Sequence, residues 1–210
     1  MTSTRWTWAV LLFLYVLFFS WYTSFGGPLS EEEIEHYMSL FETGDGDPEQ
    51  RALLRNFMES DTGDDFVMIN VIDLYEVPMQ IEGVEPGETS PQVLDKYMAY
   101  MYPALFSRAS HPVLFGSAAA PAMDIMNAPG MENWTTGAGM RYRSRRDMLE
   151  ISSNPAFAGS HEFKVAAMRK TIAYPIDPWF QLGDPRLVLA LLLGLIGCAL
   201  SWLFSSRRAG

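Results

Sequence analysis

The chain has 210 residues, of which 49% are hydrophobic, and it carries 25 acidic against 15 basic side chains. This acidic balance argues against nucleic acid as a partner, because phosphate backbones are bound by clustered Lys and Arg. The single cysteine, Cys198, lies in an apolar run near the C-terminus, so the rest of the chain has no disulfide and no cysteine-ligated metal or haem site. We expect no cofactor.

Two uncharged apolar runs lie near the ends of the chain, at residues 8–25 and 187–204. Each is long enough to cross a bilayer as a helix, and Trp8 and Trp21 mark the edges of the first run as interfacial aromatics do. A cleaved signal peptide is the alternative for the first run, but the residues after it form a poor cleavage site. We therefore predict two transmembrane helices.

Basic residues lie outside both runs, with Arg5 before the first and Arg207 and Arg208 after the second. Positive residues next to membrane segments favour the cytoplasm. This pattern predicts cytoplasmic termini at residues 1–7 and 205–210. The central domain would then be periplasmic or extracellular.

Small residues form a stripe along the second run, separated by steps of four, three and four: Ala190, Gly194, Gly197 and Ser201. These steps put all four on one helix face, and small residues let membrane helices approach closely. The pattern predicts packing against the first span, a second copy of the chain or another membrane protein. The alternative is the ordinary glycine content of membrane helices.

Residues 26–65 are predicted to form a helical extension before the central domain. Ser30 and Glu33 have the spacing of a capping box, which starts a helix ending near residue 42, and a second helix lies near residues 48–59. The acidic turn around Asp45 lacks the ligand spacing of a calcium loop, so we interpret it as a solvated turn.

The segment 66–177 alternates strands and helices and leads through a linker, 178–186, to the second span. Its predicted elements are a strand at 66–75, a helix from Ser90 to about Ser110 with Ser90 as N-cap, strands at 112–118 and 137–143, a helix from Arg145 to Arg169 interrupted at Asn154-Pro155, and a strand at 170–176. The order β-α-β-β-α-β predicts an α+β fold of the ferredoxin-like plan.

Three stretches of this segment resemble a small bacterial family of unknown function in the dimeric α+β barrel superfamily: VMINVIDLY, DKYMAYMYPALF and YRSRRDMLEISSNPAFAGSHEFKVAAMRKTIAYP. The positions that match the family pattern are Asn70, Tyr97, Tyr100, Tyr142, Ser144, Arg145, His161 and Pro175. The resemblance implies that two copies pair their sheets into one barrel. It also implies a pocket between each sheet and its helices, or inside the barrel. The two apolar ends and the additional helices depart from the soluble members of the family.

Asn70 is a polar residue within an apolar strand, where burial is costly unless its amide is hydrogen-bonded. It either faces a polar pocket or holds neighbouring backbone. Tyr97, Tyr100 and Tyr142 line the same cavity in one interpretation and belong to the hydrophobic core in the other.

His161 and the run of arginines before it are the remaining pocket candidates. His161 beside Glu162 is either an acid–base pair in the pocket or a structural contact. Arg145 belongs to the basic run 141–146, which either binds an anion at a helix N-terminus or pairs with the acidic surface.

Three methionines, Met123, Met126 and Met131, lie in one predicted loop. Converging thioethers bind Cu(I), whereas exposed methionines also suit contact surfaces for partners. We favour the contact surface and predict no metal site.

Two functional hypotheses follow. The first is an accessory or interaction subunit, without enzymatic activity, that displays its domain as a homodimer or within a larger membrane complex. The alternative is an enzyme or a binding protein that holds a small apolar molecule in the barrel pocket, by analogy with the superfamily.

Overall fold

The computed structural model describes residues 3–41 and 47–209, with side chains up to residue 206. The predicted acidic turn around Asp45 and the side chains of Arg207 and Arg208 lie outside the described residues. The chain forms two compact units, one made of residues 1–24 with 178–210 and the other of residues 25–177.

The smaller unit contains the two terminal helices, α1 (Ser3–Tyr22) and α7 (Pro185–Ala209). Both are long and apolar enough to cross a membrane. Helix α1 ends at Tyr22, so residues 23–25 of the predicted span lie outside the helix. Helix α7 begins two residues earlier than predicted, at Pro185, a residue suited to the first helical turn because its missing N–H has no intrahelical partner there.

The larger unit is built on a four-stranded sheet with β1 (Phe66–Leu74), β2 (His111–Ser117), β3 (Thr136–Tyr142) and β4 (Met168–Ile176). The strand order is β2-β3-β1-β4, and every neighbouring pair is antiparallel. Helix α4 (Ser90–Phe106) connects β1 to β2, and helices α5 (Arg145–Ser152) and α6 (Pro155–Ala167) connect β3 to β4. The predicted α+β, ferredoxin-like arrangement is confirmed.

Helix α4 starts and ends differently from the prediction. Its N-cap is Thr89, which forms a capping box with Gln92, while the hydroxyl of Ser90 donates a hydrogen bond to the Tyr75 carbonyl oxygen at 2.7 Å. The helix ends at Phe106, before Ala109, which has a left-handed backbone with φ of +52°. Ser90, the predicted N-cap, is therefore the first residue of the helix, and its side chain connects α4 to the segment that follows β1.

The second long helix also ends earlier than predicted. Met168 has an extended backbone and pairs with Leu74, so α6 stops at Ala167 and β4 gains its first two residues, Met168 and Arg169, from the predicted helix. Arg169 forms an ion pair with Asp73 on β1, which also favours the extended backbone at this point.

The helical extension consists of α2 (Glu31–Phe41) and α3 (Pro48–Glu59), close to the predicted ranges. The capping box of Ser30 and Glu33 is present, with the Ser30 amide donating to the Glu33 carboxylate at 2.9 Å. Both helices pack on α5 through a small buried cluster composed of Leu29, Ile34, Tyr37, Met38, Met58 and Leu149.

The two faces of the sheet have different surroundings. The inner face packs on α4 and α5 through a core of Phe66, Tyr97, Met101, Leu105, Tyr142 and Ile151. The outer face leaves several apolar side chains largely exposed, among them Leu114, Ile172, Tyr174 and Ile176. Burial on one side only is typical of an antiparallel sheet, but the exposed side is then usually polar.

Candidate functional site

A cavity of about 290 Å³ lies between the inner face of the sheet and the helices α4 and α6. Its lining is mainly apolar and includes Met68, Met98, Met101, Met140, Met148 and Met168. Methionine side chains are flexible and polarisable, so they adapt to irregular apolar shapes. A cavity of this size and lining has the character of a small-molecule site.

The strand register explains why there is space above the sheet. Asn70 in β1 lies opposite Ala138 in β3 and opposite Ala173 in β4, so small side chains flank it on both sides. The Asn70 amide nitrogen donates to the Met68 carbonyl oxygen at 3.0 Å, and Asn70 also lines the cavity. Asn70 therefore lines a pocket and is also hydrogen-bonded to neighbouring backbone, so both interpretations of this residue describe part of its environment.

Two of the three tyrosines, Tyr97 and Tyr142, also line the cavity. Burial raises the pKa of Tyr142 to about 12 and raises the pKa of Tyr97 further. Both phenols therefore stay protonated at neutral pH. Within the described part of the chain neither hydroxyl has a hydrogen-bond partner, so each can donate to a molecule in the cavity.

Lys164, on α6, is a lining residue that the sequence analysis missed. Its ammonium nitrogen lies 5.8 Å from the centre of the Tyr97 ring. Across residues 3–41 and 47–206 no carboxylate or carbonyl group contacts this nitrogen. Burial lowers the pKa of Lys164, because the charged form loses hydration that no protein group replaces.

Tyr100 and His161 lie near the cavity but do not line it. The Tyr100 hydroxyl donates to the Ile151 carbonyl oxygen at 2.9 Å, which links α4 to the end of α5. His161 packs against Phe157 and Tyr97, with ring centres 5.1 and 6.2 Å apart. Burial lowers the pKa of His161, and the nearby Lys164 lowers it further, so the imidazole is neutral at pH 7.

Arg145 is placed away from the cavity. It lies over the Phe57 ring, with 4.6 Å between the guanidinium carbon and the ring centre, and it donates to the Ser60 hydroxyl at 2.8 Å. Asp61 lies 3.6 Å from its guanidinium. These contacts attach the helical extension to α5, which is a structural role.

The neighbouring arginines of the basic run are also paired with acidic groups. The ion pairs are Arg141 with Asp65, Arg143 with Asp147 and Arg146 with Glu33. The hydrogen bond from Arg146 lowers the pKa of Glu33 to about 2. Of the two interpretations of this run, pairing with acidic side chains is the one the structure shows.

The predicted stripe of small residues on α7 faces α1. A side chain at Gly197 would come within 2.6 Å of the Trp8 ring, and the Trp8 indole nitrogen donates to the Ser201 hydroxyl at 3.1 Å. Ala190 and Gly194 border a hollow whose other side is formed by α1. Of the partners considered for the stripe, the first span occupies it in the structure.

The side chains of Met123 and Met126, in the predicted methionine loop, extend into solvent. Met123 is 98% exposed and Met126 is 78% exposed, so neither side chain packs against the other parts of the chain. Among the described residues no group of three or more His, Cys, Asp or Glu side chains is arranged to hold a metal ion.

Fold and cavity together define the central unit as a ferredoxin-like α+β domain with a ligand-sized space between sheet and helices. The chain is similar to RPA0582, a protein of unknown function from Rhodopseudomonas palustris. Methylated RPA0582 matches with a TM-score of 0.52 and 18% identity, over 67% of this chain and 96% of that chain. A second structure of RPA0582 matches with a TM-score of 0.50 and 18% identity, over 65% and 97%.

A dimeric protein of unknown function with a ferredoxin-like fold, from Bacteroides fragilis, matches with a TM-score of 0.32 and 13% identity over 54% of this chain and 96% of that chain. No family model and no curated protein matches the sequence. At these identities the comparisons establish the fold and nothing finer.

Proposed function

We propose that this chain is a membrane-anchored protein that binds a small apolar molecule in the cavity between its sheet and helices α4 and α6. The observation that carries the proposal is the cavity itself, about 290 Å³ in volume and lined mainly by apolar side chains. Folded cores are close-packed, and an unfilled apolar space of this size costs stability unless a ligand occupies it.

The cavity also carries polar groups that would orient a ligand. The hydroxyls of Tyr97 and Tyr142 and the amine of Lys164 have no protein partner within the described residues. Small-molecule sites usually have a mainly apolar wall with a few polar groups. These groups support binding.

The test compares a variant that fills the cavity with a matched variant on the surface. Ala138 is buried on the cavity floor, whereas Ala99 is exposed on α4. The full chain is extracted from its membrane in mild detergent, and native mass spectrometry counts small molecules that remain bound. We expect a bound molecule in the wild type and in Ala99→Leu but not in Ala138→Leu. Equal occupancy in all three, or none in the wild type, would contradict the proposal.

Membrane anchoring is the second part of the proposal and rests on α1 and α7. Arg186, at the start of α7, is a basic residue on the proposed extracytoplasmic side, where the charge rule disfavours it, but it forms an ion pair with Asp184 at 2.6 Å that offsets this charge. Trp179 and Phe180 precede α7 and are largely exposed, as aromatic residues at a membrane interface are. We propose cytoplasmic termini and a periplasmic or extracellular domain.

The orientation can be tested with one engineered thiol. Cys198 is the only cysteine, so a Cys198→Ser chain is free of thiols. Asn133→Cys in that background places a thiol on a loop of the central domain. A membrane-impermeant maleimide should label it in intact cells, and labelling only after lysis would reverse the proposed orientation.

We further propose that the outer face of the sheet binds a second copy of the chain. Val71, Ile172 and Tyr174 form part of this face, where Gly137 and Gly116 leave its surface flat. The resemblance to dimeric α+β barrels implies the same pairing. Exposed apolar faces of this kind are uncommon on monomers.

Charge on the outer face should prevent that pairing. We expect Tyr174→Asp to convert a dimer into a monomer in native mass measurements, because a carboxylate would be buried without a partner. Val165→Asp, at an exposed apolar position on α6, is the control and should remain dimeric. A wild-type chain that is monomeric at high concentration would overturn the pairing.

An accessory subunit of a membrane complex is the second candidate function. It is favoured by the exposed loop that carries Met123 and Met126, since flexible apolar side chains suit a partner surface. Changing both residues to Ser should release a partner that otherwise co-purifies in a fixed ratio. Co-purification that is unchanged by this variant would count against this candidate.

A further inference from the structure

Lys164 has an environment that the apolar cavity alone does not explain. It is one of three lysines in the chain, and the other two have partners: Lys96 pairs with Glu88 at 2.6 Å, and Lys170 lies over the Trp134 ring and donates to the Gly130 carbonyl oxygen. Lys164 instead lines the cavity, where the contacts of the described residues provide only the Tyr97 ring.

A half-buried ammonium group without a counter-ion is unfavourable, because the charge loses part of its hydration and the Tyr97 ring compensates only weakly. Asp95 is the other charged lining residue, but it is exposed and does not come within ion-pair distance of Lys164. Desolvation by burial lowers the pKa of Lys164. The missing negative charge can be provided by the bound molecule.

The other polar lining groups suit an anion as well. The hydroxyls of Tyr97 and Tyr142 remain protonated, because burial raises the pKa of both, and a protonated phenol donates to an oxygen anion. Most of the remaining wall is apolar, made of methionine, leucine, isoleucine, phenylalanine and alanine side chains, with Asn70, Asp95 and Ser152 as further polar lining residues. The lining thus offers cationic and hydroxyl donors on an apolar surface.

We propose that the ligand of this cavity is an apolar carboxylate, such as a fatty acid, whose carboxylate pairs with the Lys164 ammonium. This inference rests on the proposed binding function and adds the chemical class of the ligand. Binding the anion provides Lys164 with its counter-ion, so the acid is favoured over a neutral molecule of the same shape. The carbon chain occupies the methionine-lined part of the cavity.

The experiment uses two photoreactive probes, a medium-chain fatty acid and the alcohol of the same length, each with a diazirine in the chain. The full chain in detergent is illuminated with either probe, and cross-linked peptides are quantified by mass spectrometry. Labelling of the α4 and β3 peptides at the cavity is divided by labelling of the α1 and α7 peptides. This ratio corrects for the different partition of acid and alcohol into the micelle.

Four proteins are compared: wild type, Lys164→Met, Lys164→Arg and Lys170→Met. Lys164→Met keeps the length of the side chain without its charge, and we expect it to lower cavity labelling by the acid about tenfold, as loss of a charge-assisted hydrogen bond does. Labelling by the alcohol should change by less than about twofold. Lys164→Arg should retain most acid labelling, and Lys170→Met, which removes a charge outside the cavity, should retain all of it.

The outcomes distinguish a failure of the carboxylate assignment from a failure of the proposed binding function. Equal labelling by acid and alcohol in all four proteins would overturn the carboxylate assignment while the cavity remained a binding site. An equal loss of acid labelling in Lys164→Met and Lys170→Met would also overturn it, because a general charge effect would then explain the loss. If neither probe labels the cavity peptides, the proposed binding function fails as well.

Discussion

The two faces of the sheet differ in how their apolar residues are used. On the inner face, side chains are covered by helices, and the alanines beside Asn70 leave a cavity with polar groups in its wall. On the outer face, apolar side chains such as Ile172 and Tyr174 remain exposed around glycines. In most antiparallel sheets the covered face is apolar and the exposed face is polar. Here the covered inner face carries polar groups, and the exposed outer face is apolar. This difference is the basis of our proposals that the inner face binds a ligand and the outer face pairs with a second copy of the chain.

The largest expected effect on stability is at a residue buried between the inner face of the sheet and its helices. Leu105, on α4, is fully buried, and Leu105→Ala should lower the free energy of unfolding by about 3 kcal/mol, as large-to-small core substitutions do. Leu114→Ala, at an exposed position on the outer face, is the matched control. It should cost less than about 0.5 kcal/mol in dilute monomer and more where the dimer forms. Chemical denaturation at two protein concentrations measures both.

Lys164→Met should stabilise the fold by about 1 kcal/mol at pH 7, because methionine fills the same space without a charge to desolvate. The pKa of Lys164 is lower in the folded state than in the unfolded chain. The unfolded state therefore binds more protons, and wild-type stability rises with pH through the interval between the two pKa values.

The advantage of Lys164→Met should consequently be full below the folded pKa and disappear above the unfolded pKa, near 10. Thermal unfolding of both proteins without ligand, followed from pH 6 to about pH 10.5, measures this difference. Lys170→Met is the control and should show no such dependence. A destabilised Lys164→Met protein would mean that the amine has a stabilising partner, contrary to the account of the inner face.

Two glycines on β3 distinguish crowded from open regions of the outer face. A Cβ atom at Gly139 would lie 3.2 Å from Val113 and 3.3 Å from Val67, whereas at Gly137 it would meet nothing within 4 Å. Replacing a strand glycine by alanine without strain typically adds about 0.5 kcal/mol of stability. Gly137→Ala should show this gain in dilute monomer and Gly139→Ala should not. Equal melting temperatures would contradict the described crowding.

The smallest expected effect is at the junction with the helical extension, away from both faces. Glu33 pairs with Arg146, and its pKa is lowered to about 2. A lowered carboxylate pKa gives stability that is complete above the unfolded value near 4.3 and is lost as pH falls toward 2. Because both groups are partly exposed, Glu33→Gln should cost less than about 0.5 kcal/mol at pH 7. The cost should vanish in acid denaturation curves near pH 2.

Much of the fold could be predicted from local sequence patterns. The order of strands and helices and the Ser30–Glu33 capping box each depend on neighbours within a few residues, and both are present. The predicted helix ends were wrong where a contact distant in sequence determines the structure. Ser90 has the properties of an N-cap, but its hydroxyl bonds to Tyr75, and Met168 leaves the helix because it pairs with Leu74.

The site was predicted only in part for the same reason. Asn70 was identified because a polar residue in an apolar strand stands out, and Tyr97 and Tyr142 followed from the family resemblance. Lys164 was missed because a lysine in a helix is usually exposed. Its one local signal is the apolar surroundings Phe163, Val165, Ala166 and Ala167. Its lack of a partner depends on the packing of α4 against α6, which no local pattern encodes.

The most direct test of the account is an experimental structure of the full chain purified from its native membrane without added ligand. We predict continuous density in the cavity, with an apolar part beside the methionines and an oxygen-bearing end within hydrogen-bond distance of the Lys164 amine. A cavity closed by its methionines, or one in which Lys164 has moved to pair with Asp95, would contradict the claim that this space is a binding site.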